Sequence, residues 1–108
     1  MIIYKGTHGI PLVWTLYQGD GKTPYNLGGK TVYFRLWRQT DPSDLLINSL
    51  CTISGDPETG KVEYDIRPGD FEAHGEYWAQ FVAIEDSVDT VPFTPFLIRV
   101  KNVAVPTP

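Results

Sequence analysis

One cysteine, Cys51, stands in a chain of 108 residues, which excludes an internal disulfide and leaves side-chain packing to hold any two layers together. The lone thiol also points to a reducing compartment. Positive charge is sparse: nine Lys and Arg against thirteen Asp and Glu give a net charge of -4, and the basic residues are scattered. A phosphate-binding surface needs them clustered, so no nucleic acid is expected as a partner. No apolar stretch approaches the roughly 20 residues of a membrane span, and the start Met-Ile-Ile-Tyr-Lys-Gly-Thr-His lacks the basic residues and apolar run of a signal peptide. The expectation is a protein made soluble in a cytoplasm, without membrane insertion. Helix-period segments longer than about two turns are missing, as are internal repeats and low-complexity tracts.

What is present is apolar and aromatic: 42% hydrophobic and 13% aromatic residues, only 20% charged, with ten glycines and nine prolines to make turns. This is the balance of a β-rich globular chain rather than a solvated tail. Residues 1–108 are long enough for one domain that buries roughly two-thirds of its unfolded surface. The organising stretch is 30–38, Lys-Thr-Val-Tyr-Phe-Arg-Leu-Trp-Arg. Read as a strand, it places Val32, Phe34 and Leu36 on one face and Tyr33, Arg35 and Trp37 on the other. The first set is the core face, because turning the second set inward would bury the Arg35 guanidinium.

Before it come an edge strand at 2–4 and a strand at 12–17 whose Leu12, Trp14 and Leu16 face inward, with Pro11 tolerated at its start; the glycines and Pro24 of 19–24 make a loop. After it, 39–44 reads as a polar connection in which Pro42 stops the strand. A strand follows over about 47–54. Asp56-Pro57-Glu58-Thr59-Gly60 closes a hairpin onto a strand with Val62, Tyr64 and Ile66 alternating inward. Residues 67–75 form a crossing loop with room for one short helical turn. The next strand, 76–84, turns Tyr77, Ala79, Phe81 and Ala83 inward. Gly75 two residues before Tyr77 is the local pattern of a tyrosine corner, in which the phenol bonds back to upstream backbone. A turn at 85–90 precedes a last strand with Phe96, Ile98 and Val100 inward; Pro92 and Pro95 place its first half at an edge or outside the sheet. The tail 105–108 is too proline-rich for a strand. About seven short strands at spacings near ten residues predict an all-β, immunoglobulin-like antiparallel β-sandwich.

No catalytic chemistry suggests itself. His8 and His74 have neither a cysteine nor a second histidine at ligand spacing, and Asp56, Glu58, Asp65 and Asp70 do not follow a calcium-loop spacing, so no metal or cofactor is expected. No carboxylate sits in an apolar context that would raise its pKa for acid catalysis, and Cys51, mid-strand among apolar residues, reads as a small buried hydrophobe. The aromatic face is the better candidate. With strands 30–38 and 76–84 as neighbours, Tyr33, Arg35 and Trp37 lie beside Trp78, Gln80 and Val82, and Leu97 and Arg99 extend the patch. So much contiguous apolar surface implies an interface with a protein or a sugar, unless residues 45–47 cover it.

Lys5-Gly6-Thr7 before Leu12-Val13-Trp14-Thr15-Leu16, then Gly19-Asp20-Gly21-Lys22, Asn26-Leu27, Lys30-Thr31-Val32-Tyr33-Phe34-Arg35-Leu36, Asp56-Pro57-Glu58-Thr59-Gly60-Lys61-Val62, residues 65–70 and Gly75-Glu76-Tyr77 form an ordered series of landmarks. Over nearly the whole chain it resembles the immunoglobulin-like N-terminal domain of tailed-phage baseplate upper proteins and similar small phage virion proteins. The resemblance implies a virion structural module without enzymatic activity or cofactor, made in the bacterial cytoplasm and mounted in several copies on other virion proteins of a tail, baseplate or other particle component. The alternative expectation is a carbohydrate-binding module that stacks host-surface glycans on Tyr33, Trp37 and Trp78.

Overall fold

A computed structural model describes residues 1–85 and 88–102, with position 42 and positions 88–90 described by backbone alone. Asp86 and Ser87 of the expected turn, and the tail 105–108, lie outside the described residues. Nine strands occur among the described residues: β1 (Ile2–Tyr4), β2 (Pro11–Thr15), β3 (Thr31–Arg38), β4 (Asp41–Leu50), β5 (Thr52–Ile53), β6 (Lys61–Asp65), β7 (Gly75–Glu85), β8 (Val88–Pro92) and β9 (Phe96–Lys101). They form two sheets. The larger has the order β1-β9-β7-β3-β4 with β8 continuing the line of β9 along β7, and the smaller has the order β2-β6-β5. This is the expected all-β sandwich, with more strands than the sequence pattern resolved.

Alternation decides which side chains meet between the sheets. Val32, Phe34 and Leu36 of β3, and Tyr77, Ala79, Phe81 and Ala83 of β7, are all buried, and so are Leu12 and Leu16 from β2 and the segment after it, Val62, Tyr64 and Ile66 from β6 and its end, and Ile98 and Val100 from β9. Phe34 stacks on Tyr64 across the layers at 4.6 Å between ring centroids, and Trp14 lies nearly parallel to Phe96 at 4.3 Å. Burying one such ring contributes roughly 1.5–3 kcal/mol, whereas an exposed ion pair contributes about 1 kcal/mol at most. The surface pairs Lys30–Glu85 and Arg99–Glu76 are therefore minor, and the rings close the sandwich in place of a disulfide.

The crossing from the smaller sheet to the larger is tied by two phenols. Tyr77 Oη donates to Ala73 O at 2.7 Å, which is the expected tyrosine corner. Tyr64 Oη donates to Asp70 Oδ2, and that same oxygen accepts Arg67 N–H at 2.9 Å. Within the crossing loop, residues 68–71 form a turn. At the other end, Gly60 caps the 3-10 turn Pro57–Thr59 with φ 68°, and a Cβ there would stand 2.5 Å from Leu16 O. Only glycine lets that loop approach the end of β2, where Leu16 N–H donates to Gly60 O at 2.8 Å.

Four expectations are corrected. The polar connection after β3 is only Gln39-Thr40, and the strand resumes at Asp41 through Pro42. Proline is tolerated because β4 is an edge strand, and because the register passes from Asp41↔Arg38 to Leu45↔Trp37, setting residues 42–44 outside regular pairing. The strand expected over 47–54 is two strands in different sheets, β4 and β5, parted at the buried Cys51. The stretch from Val88, expected to be turn, pairs with β7 as β8. The sandwich is not wholly antiparallel, since β1 runs parallel to β9. No hairpin joins those two strands, so no short turn imposes opposite directions.

Removing the Tyr77 hydroxyl with Tyr77→Phe is expected to lower unfolding stability by about 1–2 kcal/mol, read from urea denaturation, because the ring stays packed while the loop loses its tie. A second outcome follows from protonation. Burial pushes the Cys51 thiol up to about 12 from 9.0, and burial, reinforced by the Asp70 carboxylate, raises the Tyr64 phenol above its ordinary 10.0. Both raised groups hold their protons in the native state while the unfolded chain releases them. Their contribution is therefore complete below pH 9 and declines as pH rises through 9 and 10. Denaturation midpoints measured from pH 8 to 11 should fall along this limb, and Cys51→Ala and Tyr64→Phe should each flatten part of it.

Candidate functional site

The face of β3 that alternation turns away from the core carries Tyr33, Arg35 and Trp37, and antiparallel pairing with β7 sets each against one partner: Tyr33↔Val82, Arg35↔Gln80 and Trp37↔Trp78. β9 lies on the far side of β7 and pairs Leu97 with Trp78 and Arg99 with Glu76. All eight residues expected at the interface thus lie on one face of one sheet. β4 widens it. A bulge sets Leu45 and Leu46 opposite Trp37, Leu50 pairs with Tyr33, and all three leucines are exposed. At the other edge Ile2 of β1 faces outward beside Arg99 and is 54% exposed.

The outcome is an apolar belt across five strands, Leu45–Trp37–Trp78–Leu97 with Ile2 at its end, about 20 Å wide at ordinary strand spacing. Trp37, Trp78 and Leu97 are half-buried. Leu45 and Leu46 extend the belt instead of roofing it, and Ile47 turns into the core. The sequence pattern did not mark Leu45, Leu46 and Leu50 as members, because their side depends on the bulge and on β4 belonging to this sheet.

Beside the belt runs a polar row. Arg35 Nε donates to Asn48 Oδ1 at 3.1 Å, and Gln80 Nε2 donates to Phe93 O at 2.8 Å. Gln80 therefore holds the corner between β8 and β9. Arg99 places Nε at 3.1 Å and Nη2 at 2.8 Å from Glu76 Oε1, an exposed and internally neutralised pair. Val82 is the member to correct. It is fully buried, flanked in register by Tyr33 and by Pro92, so this short side chain offers no contact area.

The acid and thiol candidates stay apart. Asp56 caps the 3-10 turn by accepting Glu58 N–H at 3.1 Å, Asp70 is engaged by Tyr64 and Arg67, and Asp65 is an exposed end residue of β6. His8 Nδ1 lies 2.9 Å from Gly6 O, and His74 is exposed in the crossing loop. Among the described residues no three His, Cys, Asp or Glu side chains converge as a metal site would require. Cys51 is buried with its thiol pushed up to about 12, which removes the thiolate a nucleophile needs.

The sequence matches no protein-family model and no curated protein.

Two substitutions should separate members that hold the fold from members that only display surface. Gln80→Ala is expected to cost about 1 kcal/mol, since it removes the bond to Phe93 O at a half-buried position. Arg99→Ala should stay within about 0.5 kcal/mol, because its partner is exposed and solvated. Urea denaturation of both variants measures the contrast.

Proposed function

We propose that this chain is a non-enzymatic structural module of a bacteriophage virion, associated with a tail, baseplate or other particle component, which docks on other virion proteins in several copies. The observation that supports the docking role is the belt from Leu45 to Ile2, a continuous apolar strip on the outer face of the larger sheet. Soluble monomers rarely present such a strip, and Trp, Tyr and Arg together are the residue types that anchor protein interfaces. The virion setting rests on the resemblance of the strand and turn landmarks to phage baseplate upper proteins.

A protein surface fits this face better than a sugar. Glycan recognition couples ring stacking to polar side chains that bond hydroxyl groups, and here Arg35 is engaged with Asn48, Gln80 with a main-chain carbonyl and Arg99 with Glu76. The leucines around the two tryptophans add area that a polar saccharide would leave unused. Flat apolar area with its polar neighbours already satisfied suits burial against another protein.

Light scattering over a wide concentration range tests the reading, combined with oxidation of tryptophan by N-bromosuccinimide. The expected result is a discrete multimer in which Trp37 and Trp78 are protected, and a folded monomer with Trp78 reactive once Trp37→Asp places a charge in the belt. A monomer at every concentration whose tryptophans are shielded by a neutral oligosaccharide would replace docking with glycan binding.

A further inference from the structure

A second surface lies away from the belt, where the end of β2 and the loop after it face the corner between β8 and β9. A groove of about 780 Å³ opens there, within the roughly 300–1,000 Å³ of small-ligand clefts, and its walls include Trp14, Tyr17, Tyr25, Phe93 and Phe96, with Pro92 and Pro95 at the corner. The walls are held in place. Trp14 is stacked on Phe96, and Tyr25 meets Phe93 edge-on at 5.4 Å. The loop is closed by Gln18 N–H on Thr23 O at 2.8 Å and by Tyr25 N–H on Leu16 O at 2.9 Å. Inside the loop, the Thr23 hydroxyl, then the Thr23 and Lys22 amides, hold the Asp20 carboxyl down to about 2. The Asp20 charge is used within the loop and is not part of the groove wall.

The chemistry of the walls narrows the ligand. Among the described residues that line the groove there is no Asp, Glu, Lys, Arg or His, so nothing there compensates a charged ligand. Trp14 Nε1, Tyr17 Oη and Tyr25 Oη make no hydrogen bond to another described residue; Tyr17 is exposed, and among the described residues no partnerless side-chain polar atom of a less exposed residue is buried, so all three remain accessible. An indole N–H only donates, and each phenol can donate as well as accept. The complementary ligand supplies oxygen acceptors and carbon surface for the rings, with few donors and no charge. Sugar hydroxyls donate as often as they accept, and the groove meets them with no carboxylate and only the Gln18 amide and weaker hydroxyl acceptors of Thr15, Thr94 and the two tyrosines. Polyproline meets each requirement. It has carbonyls without N–H groups, rings that pack on aromatic walls, and an extended helix that is ordered before binding.

We infer that this groove binds an uncharged, proline-rich segment of a partner protein in polyproline II conformation. The site is lined by residues other than those of the belt on the larger sheet, and the reading of the groove does not rest on that of the belt.

The test is a ¹H–¹⁵N titration of the full chain with an acetylated, amidated nonaproline, a glycine-serine peptide of the same length, and maltohexaose. Nonaproline is expected to shift the Trp14 indole N–H saturably, with the Trp37 and Trp78 indoles unmoved, and the glycine-serine peptide to shift none of them. Tyr25→Phe, which keeps the ring against Phe93, should weaken binding roughly threefold to tenfold, as loss of one hydrogen bond does. Tyr17→Ala, at an exposed position, should weaken it without unfolding the chain. No saturable shift at millimolar nonaproline, saturation by maltohexaose instead, or shifts confined to Trp37 and Trp78 would each overturn the assignment.

Discussion

Tyr64 carries the constraint on which the fold depends. Its ring stacks on Phe34 of the opposite sheet, and its hydroxyl donates to the Asp70 carboxylate that also receives Arg67 N–H. One side chain therefore sets the spacing of the layers and starts the crossing that delivers the chain into β7. Tyr77 finishes that crossing by bonding Ala73 O. β7 is the hub of the larger sheet, with β3 on one side and β9 and β8 on the other, so the aim of the crossing fixes the register of every row on the outer face. The same carboxylate and the same burial that secure Tyr64 in neutral water make it sensitive to alkali.

Much of this was legible in the sequence because period-two alternation is a strong local signal where one face is buried. The core sets of β3, β7 and β9 and the pairing of the eight face residues follow from it directly, and Gly75 before Tyr77 marked the corner. Three features were not legible, for separate physical reasons. Pro42 reads as a strand breaker, yet an edge strand with residues displaced from the ladder accommodates it. Val82 has the parity of a surface residue, but parity says nothing about how far its neighbours overhang, and a valine between Tyr33 and Pro92 is covered. The aromatic groove joins residues near 14–25 to residues near 91–96, a meeting that exists only once both sheets have closed. Its composition was visible in advance, but its assembly was not.

The two surfaces have different physical characters. The belt is broad, nearly flat and built on paired strands, so its shape is set by backbone geometry. The groove is concave and built from a loop and a corner, and it is held by specific hydrogen bonds and by Gly60, whose missing Cβ lets the loop close on β2. Gln80 links them, since its side chain sits in the polar row beside the belt and its amide holds the carbonyl of Phe93, a groove residue. A change at Gln80 would be felt on both.

The displaced segment 42–44 bears on how the molecule behaves when crowded. β4 is an outer strand with one side of its backbone unpaired in this fold, the kind of edge on which sheets of neighbouring molecules add without limit. Proline removes an amide there, the displaced residues interrupt the row of donors and acceptors, and Asp41 and Asp44 put negative charge beside the gap. An added strand would find a regular ladder only along the second half of β4. The same irregularity is thus a guard against fibril-like growth.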